Sequence, residues 1–523
     1  MRVLFRAALA ALFAVAGTQA HAAWREAKSK HFIIYADEDA KQLRDFAEKL
    51  ERFDKAVRYL RQMKDPDLTD AGRVKVFVLG DSDQIEDLLG IENARGMYIT
   101  RADGSYAFVP RYAGKLTSGA ANAIGRTEEL LDTQSIFFHE YAHHLQLQTA
   151  NVAIPTWAVE GFAEFFASAE VEKDGSVLIG KFPDYRVFGV RDRTSLTLAQ
   201  ILGDKMPERV TNEQVDALYA RGWLLTHFFA MTDARKGQMS RYIAGIQKGQ
   251  TPLESAQAAF GDLKVLDREV DQYRRQNHLL GFRLDAKVIP IDPVAIRDLG
   301  AGEAAIIEVK IRSKRGVNAT TAPPLAGQAR AIAAKYPQDA AVQSALAEAD
   351  YDAKDYAGAQ EAAARAIAGN PHDDHALIYE GRAQMALAKA APKSADWGAV
   401  RAWFTKANAL DTENAEPLEL FFDSFAEAGQ PASDNAVDAL LYATALAPQD
   451  MNLRMTAVSV LISGSRLDDA RTLMAPVAYQ PHLPAEVREL TSKIMAALAN
   501  GDAKAATSLM SQSANPPAKP AKK

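Results

Sequence analysis

Along the first third of the chain the apolar positions switch between a period of two and a period of 3.6. HFIIYA (31–36) and VKVFVLG (74–80) have the short, β-branched look of strands. Between them Leu43, Phe46, Leu50, Phe53, Val57 and Leu60 recur at three- and four-residue steps, which predicts a helix over about 40–63. A short helix near 83–89 follows, then a hairpin made of GMYIT (96–100) and SYAFVPR (105–111), turned at Ala102-Asp103-Gly104. From about 128 to 274 the pattern is mostly helical, interrupted by loop and an isolated strand signal over 169–195. KVIPIDPVAI and EAAIIEVKI, within 283–320, are apolar and β-branched and read as a short β-rich connector.

After Thr321 alanine becomes dense and the sequence turns repetitive. Pro337, Pro371, Asp411, Pro448 and Pro481 each close a helical pair, at intervals of 34, 40, 37 and 33 residues. Such spacing resembles helix–turn–helix repeats of the tetratricopeptide (TPR) type over 321–512. Leu346, Ala347, Ala359 and Ala366 fall at the packing positions of that repeat, whereas Asp350 stands where an aromatic is usual. The tail, 513–523, is rich in Pro, Ala and Lys and reads as disordered.

Composition narrows the class. Of 523 residues, 48% are hydrophobic and 24% charged, as in an ordinary globular chain too long for one core. The net charge of −6 gives no electrostatic case for nucleic acid as a partner. Residues 1–22 run from two arginines through a short apolar segment to Ala20-His21-Ala22, the order of a secretory signal peptide. Its removal would take the charge to −8 and leave no membrane span. With no cysteine for a disulfide or a lipid, the mature chain is expected to be exported to a bacterial periplasm and held by packing alone. Asn318-Ala319-Thr320 fits a glycosylation acceptor only formally.

The chemistry concentrates in FFHEYAHHLQLQTANVAIPTWAVEGFAEFF (137–166). His139 and His143, four apart on one predicted helix, project from the same face and can hold one zinc ion, while Glu140 reaches a water on that ion as general base. With 10 histidines in the chain, a chance H-E-x-x-H is rare; the bland reading is a solvated pair of surface histidines. A second helix then carries Glu160 and Glu164 on one face amid Trp157, Phe162, Phe165 and Phe166. Ligation would compensate the burial of Glu160, and Glu164 is placed to accept the free N–H of a ligand imidazole. His144 and His227 are assigned no ligand role.

HEYAHH followed by WAVEGFAEF resembles the gluzincin metallopeptidases, in particular the peptidase MA-like domains of bacterial proteins, with the spacing HExxH-x16-E. The resemblance spans roughly 24–280 and is strong only over 137–166. It implies His139, His143 and Glu160 as ligands to one Zn²⁺ per chain and Glu140 as general base. YARGWLLTHFF (219–229) matches the Y-x-[KR]-G helix of the zinc aminopeptidases, which implies Tyr219 as an oxyanion stabiliser; the competing reading is simple packing. No G-x-M-E-N segment precedes the zinc helix, which argues against aminopeptidase specificity.

The expected architecture is an α+β N-terminal metallopeptidase-like domain followed by an all-α repeat domain. The N-terminal domain would comprise a small α/β subdomain with a mixed sheet (23–127) and a helical zinc-binding subdomain (128–282). SYAFVP is expected to be the edge strand that pairs with an extended peptide. The expected function is zinc-dependent hydrolysis of a peptide or protein substrate, with a protein partner on the repeats. Two alternatives stay open: a catalytically inactive scaffold acting through its repeats, and hydrolysis of a non-peptide amide such as a cell-wall component.

Overall fold

The computed structural model describes residues 24–514 except 93, 95, 112–132, 150–151, 208–209, 277–278, 479–482 and 484. The signal-peptide segment, Pro481 and the tail from 515 lie outside the described residues. The N-terminal unit contains β1 (Arg25–Lys28), β2 (Phe32–Ala36), α1 (Ala40–Arg61), β3 (Val74–Leu79), α2 (Ser82–Leu89), β4 (Met97–Arg101) and β5 (Gly104–Pro110). Next come α3 (Thr133–Thr149), α4 (Thr156–Ala167), β6 (Glu170–Val171), β7 (Val177–Ile179), α5 (Val187–Arg191), α6 (Leu198–Leu202) and α7 (Asn212–Met231). The segment closes with α8 (Gln238–Gln247), α9 (Pro252–Phe260), α10 (Leu263–Arg274), β8 (Phe282–Leu284), β9 (Ala295–Asp298) and α11 (Ala301–Arg315).

Six strands form one mixed sheet in the order β4-β5-β3-β2-β1-β9, with β2, β3 and β5 parallel. Alternation sends Phe32, Ile34, Val76 and Val109 to one face, against Leu50 and Phe53 of α1 and Phe137 and Tyr141 of α3. Ile33, Phe77 and Phe108 point the other way, onto α2 and onto Ile307 and Ile311 of α11. Helices cover both faces, so the central strands are mostly apolar, with Lys75 of β3 as an exception.

Two expectations need correction. SYAFVP is not an edge: β5 lies between β3 and β4, and all seven of its residues are buried. The edge on that side is β4, whose residues are all half-buried, and β9 forms the other edge. The connector 283–320 is also not a β-rich unit. Its only strands are the end of β8 and β9, which extends the main sheet beside β1, and EAAIIEVKI lies within the helix α11. Ile306, Ile307, Val309 and Ile311 looked strand-like because their β-branching is favoured in sheets, but their burial follows helix contacts with the sheet and the repeats.

From α12 onward the chain is a stack of helical hairpins, as the proline spacing predicts. Its helices are α12 (Ala322–Ala333), α13 (Ala340–Asp352), α14 (Tyr356–Gly369), α15 (Asp374–Ala390), α16 (Trp397–Leu410) and α17 (Glu416–Glu427). They continue as α18 (Asp434–Leu446), α19 (Met451–Ser463), α20 (Leu467–Ala478), α21 (Ala485–Ala499) and α22 (Ala503–Ala514). The last helix covers the first two residues of the predicted tail. Small residues such as Ala349, Ala362, Ala363 and Ala366 are fully buried where consecutive helices meet. Asp350, in place of the usual aromatic, is buried beside Arg330 at 2.7 Å, and burial pushes its pKa up to about 6. The β4–β5 turn plugs into this stack: Ala102 packs with Leu440, Ala443, Leu453 and Ala457, and Thr100 donates to the Gln449 carbonyl at 3.0 Å. Among the described residues no helix is long and apolar enough to cross a membrane.

A buried ion network ties the sheet to α1 and α3. Glu51 accepts from the His31 backbone N–H at 2.7 Å and lies 2.8 Å from its Nδ1, while Asp65 lies 3.0 Å from Nε2. Asp54 takes Arg58 Nε at 2.7 Å and the Tyr141 hydroxyl at 2.8 Å. Burial lowers the pKa of His31, but Glu51 and Asp54 outweigh it and hold the pKa above the ordinary histidine value. Stability from His31 is therefore complete below the unfolded-state pKa of about 6.5 and is lost as pH rises through the raised folded value. His31→Gln should cost more stability at pH 6 than at pH 9, on the order of 1.5–3 kcal/mol at the lower pH. Denaturant melts at the two pH values check this, and a deficit equal at both would contradict it.

Candidate metal-binding site

α3 and α4 place the acids and imidazoles of 137–166 together, and α7 completes the wall. His139 and His143 sit one turn apart with rings 4.8 Å between centroids and nearly perpendicular. Their Nε2 atoms are 3.2 Å apart. Glu160 Oε2 lies 3.3 Å from His139 Nε2 and 3.6 Å from His143 Nε2. Donor atoms held about 2.0–2.1 Å from a tetrahedral ion are about 3.3–3.4 Å from one another, so the triangle has the size of one such coordination face. The imidazole side chains keep 13% exposure while Glu160 has none, so access to the triangle is from the histidine side.

Electrostatics fit a cationic occupant. Burial disfavours the Glu160 carboxylate, yet the two imidazoles outweigh burial and hold its pKa far below the usual range. Burial likewise pulls His139 down, but Glu160 and Glu164 overcome it and raise the pKa to about 9. Among the described residues one other group has ligand-like spacing, His31 with Asp54 and Asp65, but there Lys30, Lys55 and Arg58 already supply the positive charge.

Glu164 lies where the sequence predicts it: its Oε1 is 3.5 Å from His139 Nδ1, the nitrogen turned away from the triangle. The residues that orient Glu164 are not legible in the sequence. Tyr185 donates to it at 2.9 Å, and Arg186 donates from Nη2 at 2.7 Å while reaching Asp216 from Nη1 at 2.9 Å. Both belong to a single 3₁₀ turn (Asp184–Arg186) within a stretch read as loop. Tyr219 stacks on His139 with centroids 5.9 Å apart, and the Arg186 guanidinium lies 5.0 Å above its ring. Burial, followed by Glu160 and Glu164, pushes the Tyr219 pKa well up, so the hydroxyl stays protonated. Glu140, the next residue after His139, is half-buried.

The histidines given no ligand role have structural partners. His144 lies 2.5 Å from the Tyr98 hydroxyl and 2.8 Å from Gln148 Nε2, which pins α3 to β4, and burial lowers its pKa to about 3. His227 is buried with Nδ1 2.9 Å from the Tyr273 hydroxyl.

Glycines bring the parts together. A Cβ on Gly161 would lie 2.3 Å from the Gly222 carbonyl oxygen, and one on Gly222 would lie 2.8 Å from the Trp157 carbonyl oxygen. α4 and α7 therefore cross backbone to backbone, which sets Glu160 and Tyr219 against the same histidine. Gly161→Ala should force the helices apart, destabilise the chain by roughly 1–3 kcal/mol and weaken metal binding; thermal melts with and without zinc check this. Unchanged zinc retention in that variant would contradict the role given to the crossing.

No protein-family model matches the chain, and no curated protein matches it. Among solved structures, a thermophilic TPR protein of Thermus thermophilus is 17% identical, covering 37% of this chain and 97% of its own, with a TM-score of 0.30. PilF of Pseudomonas aeruginosa is 16% identical, covering 42% and 93%, with a TM-score of 0.32, and yeast Tom70 is 10% identical, covering 77% and 78%, with 0.25. At such scores the repeat assignment rests on the helices themselves.

Proposed function

We propose that the chain is a zinc-dependent hydrolase of amide bonds, a metallopeptidase exported to the periplasm, with its helical repeats serving protein binding. The observation that supports it is the triangle of two imidazole nitrogens and a buried carboxylate oxygen, with edges of 3.2–3.6 Å. His139, His143 and Glu160 would hold the ion. A bound zinc supplies Lewis-acid chemistry, polarising a carbonyl and acidifying water.

The remaining roles belong to this chain's own groups. Glu140, half-buried beside His139, takes a proton from water and returns it to the leaving amine. Glu164 fixes the His139 ring through its outward nitrogen, held in turn by Tyr185 and Arg186. Tyr219, protonated throughout the physiological range, donates to the developing oxyanion.

Glu140→Gln should retain one zinc per chain and lose about a thousandfold or more in turnover, whereas His139→Ala loses both. Metal analysis together with mass-spectrometric digestion of a peptide library reads the two properties separately. An active Glu140→Gln protein overturns the assignment of the base. Tyr219→Phe should keep zinc and KM and lower kcat about 10²–10³-fold, the size of one oxyanion donor.

The scaffold reading also has its own support. From α12 to α22 the chain is a stack of paired helices, a repeat surface of the kind that serves protein binding. Zinc-loaded protein that cuts neither peptides nor cell-wall amides would favour it.

A further inference from the structure

A cavity of about 250 Å³ lies on the opposite face of the sheet from α3, where β3 and β5, α11 and the repeat helices α13 and α15 meet. Its wall carries seven carboxylates and three lysines, and they are not all directly paired. Lys314 is paired to Glu348 at 2.9 Å and to Asp103 at 3.2 Å. The other acids of the wall also have direct partners: Asp70 has Lys28 at 2.6 Å, Glu303 has Arg297 at 2.7 Å and Glu416 has Arg382 at 2.5 Å, while Asp373 accepts from the Ala376 N–H at 3.0 Å and Asp374 from the Asn414 amide at 3.0 Å.

Two ammonium groups stand outside these pairs. Lys75 occupies an inward position of the central strand β3, in register with Tyr106, and Lys310 lies one turn before Lys314 on α11. Among the described residues neither makes an ion pair within 4 Å or a hydrogen bond. Each has an aromatic ring instead, Lys75 with Tyr106 at 5.6 Å and Lys310 with Tyr35 at 4.8 Å. A ring face offsets only part of the cost of desolvating an ammonium. Burial pulls Lys75 down to about 8, and Lys310 is lowered for the same reason, with neighbouring lysines adding to both shifts.

We propose that this cavity binds a small oxyanion, a carboxylate or a phosphate, held between Lys75 and Lys310. The ligand would supply the direct ion pair both lysines lack, and the volume suits a small molecule rather than a peptide. Because the walls come from the sheet, α11 and the repeats together, occupancy clamps the repeats onto the N-terminal unit.

Thermal melts of the full chain in phosphate and in succinate, each against chloride at equal ionic strength, test this. At least one oxyanion should raise Tm in a saturable way at millimolar concentration. The rise should vanish in Lys75→Met/Lys310→Met and survive in Lys75→Arg/Lys310→Arg and in His143→Ala. A shift from phosphate alone or succinate alone identifies the ligand class. No difference from chloride, a shift kept in the double Met variant, or a shift lost with His143→Ala overturns the proposal. Should the double Met variant fail to fold, Lys310→Gln alone must weaken the response at least tenfold in midpoint concentration.

Discussion

Glu160 is a carboxylate with no solvent exposure, set among aromatic rings at the crossing of two helices. Such a group persists only if positive charge meets it in place. Here the charge must come from the direction of two imidazoles one helical turn apart, and everything around the site serves that meeting. Tyr141, between the two histidines in sequence, anchors α3 to Asp54 of α1. His144 anchors the same helix to the edge strand. Gly161 and Gly222 let α4 and α7 approach closely enough for Glu160 and Tyr219 to share one neighbour.

The sheet and repeats frame this centre without entering it. One face of the sheet backs α1 and α3, and the other receives α11, which leads directly into the hairpin stack. The β4–β5 turn reaches into the repeats as well, and Ala475 of α20 packs into the N-terminal core, so the N-terminal unit and the stack hold each other at several places. Part of the repeat surface is thereby spent internally rather than offered to a partner.

Much of this was legible in the sequence, and the failures have physical causes. The three proposed ligands and Glu164 were findable because helical periodicity fixes which residues share a face, Tyr219 only through the resemblance of YARGWLLTHFF to a known helix, and they do come together. Strand and helix positions in 31–111 also followed from period, but the order of strands did not. The predicted hairpin pairs β5 with β4, but nothing in SYAFVP says that β3 will take its other edge. α11 was misread because Ile and Val suit both a strand and a helix packed on a sheet. Arg186 was invisible because its partners, Glu164 and Asp216, are 22 and 30 residues away. The glycines of E-G and R-G carried a signal that went unused: a glycine inside an apolar helix marks close backbone approach.

The central claim is that two imidazole nitrogens and one carboxylate oxygen hold a single ion. X-ray absorption at the zinc edge, on the purified chain at neutral pH, reads that coordination directly. The account predicts one tightly held zinc with two imidazole ligands and light oxygen scatterers, all about 2.0–2.1 Å from the metal. A spectrum without imidazole scattering, or a chain that holds no zinc after dialysis, would contradict it.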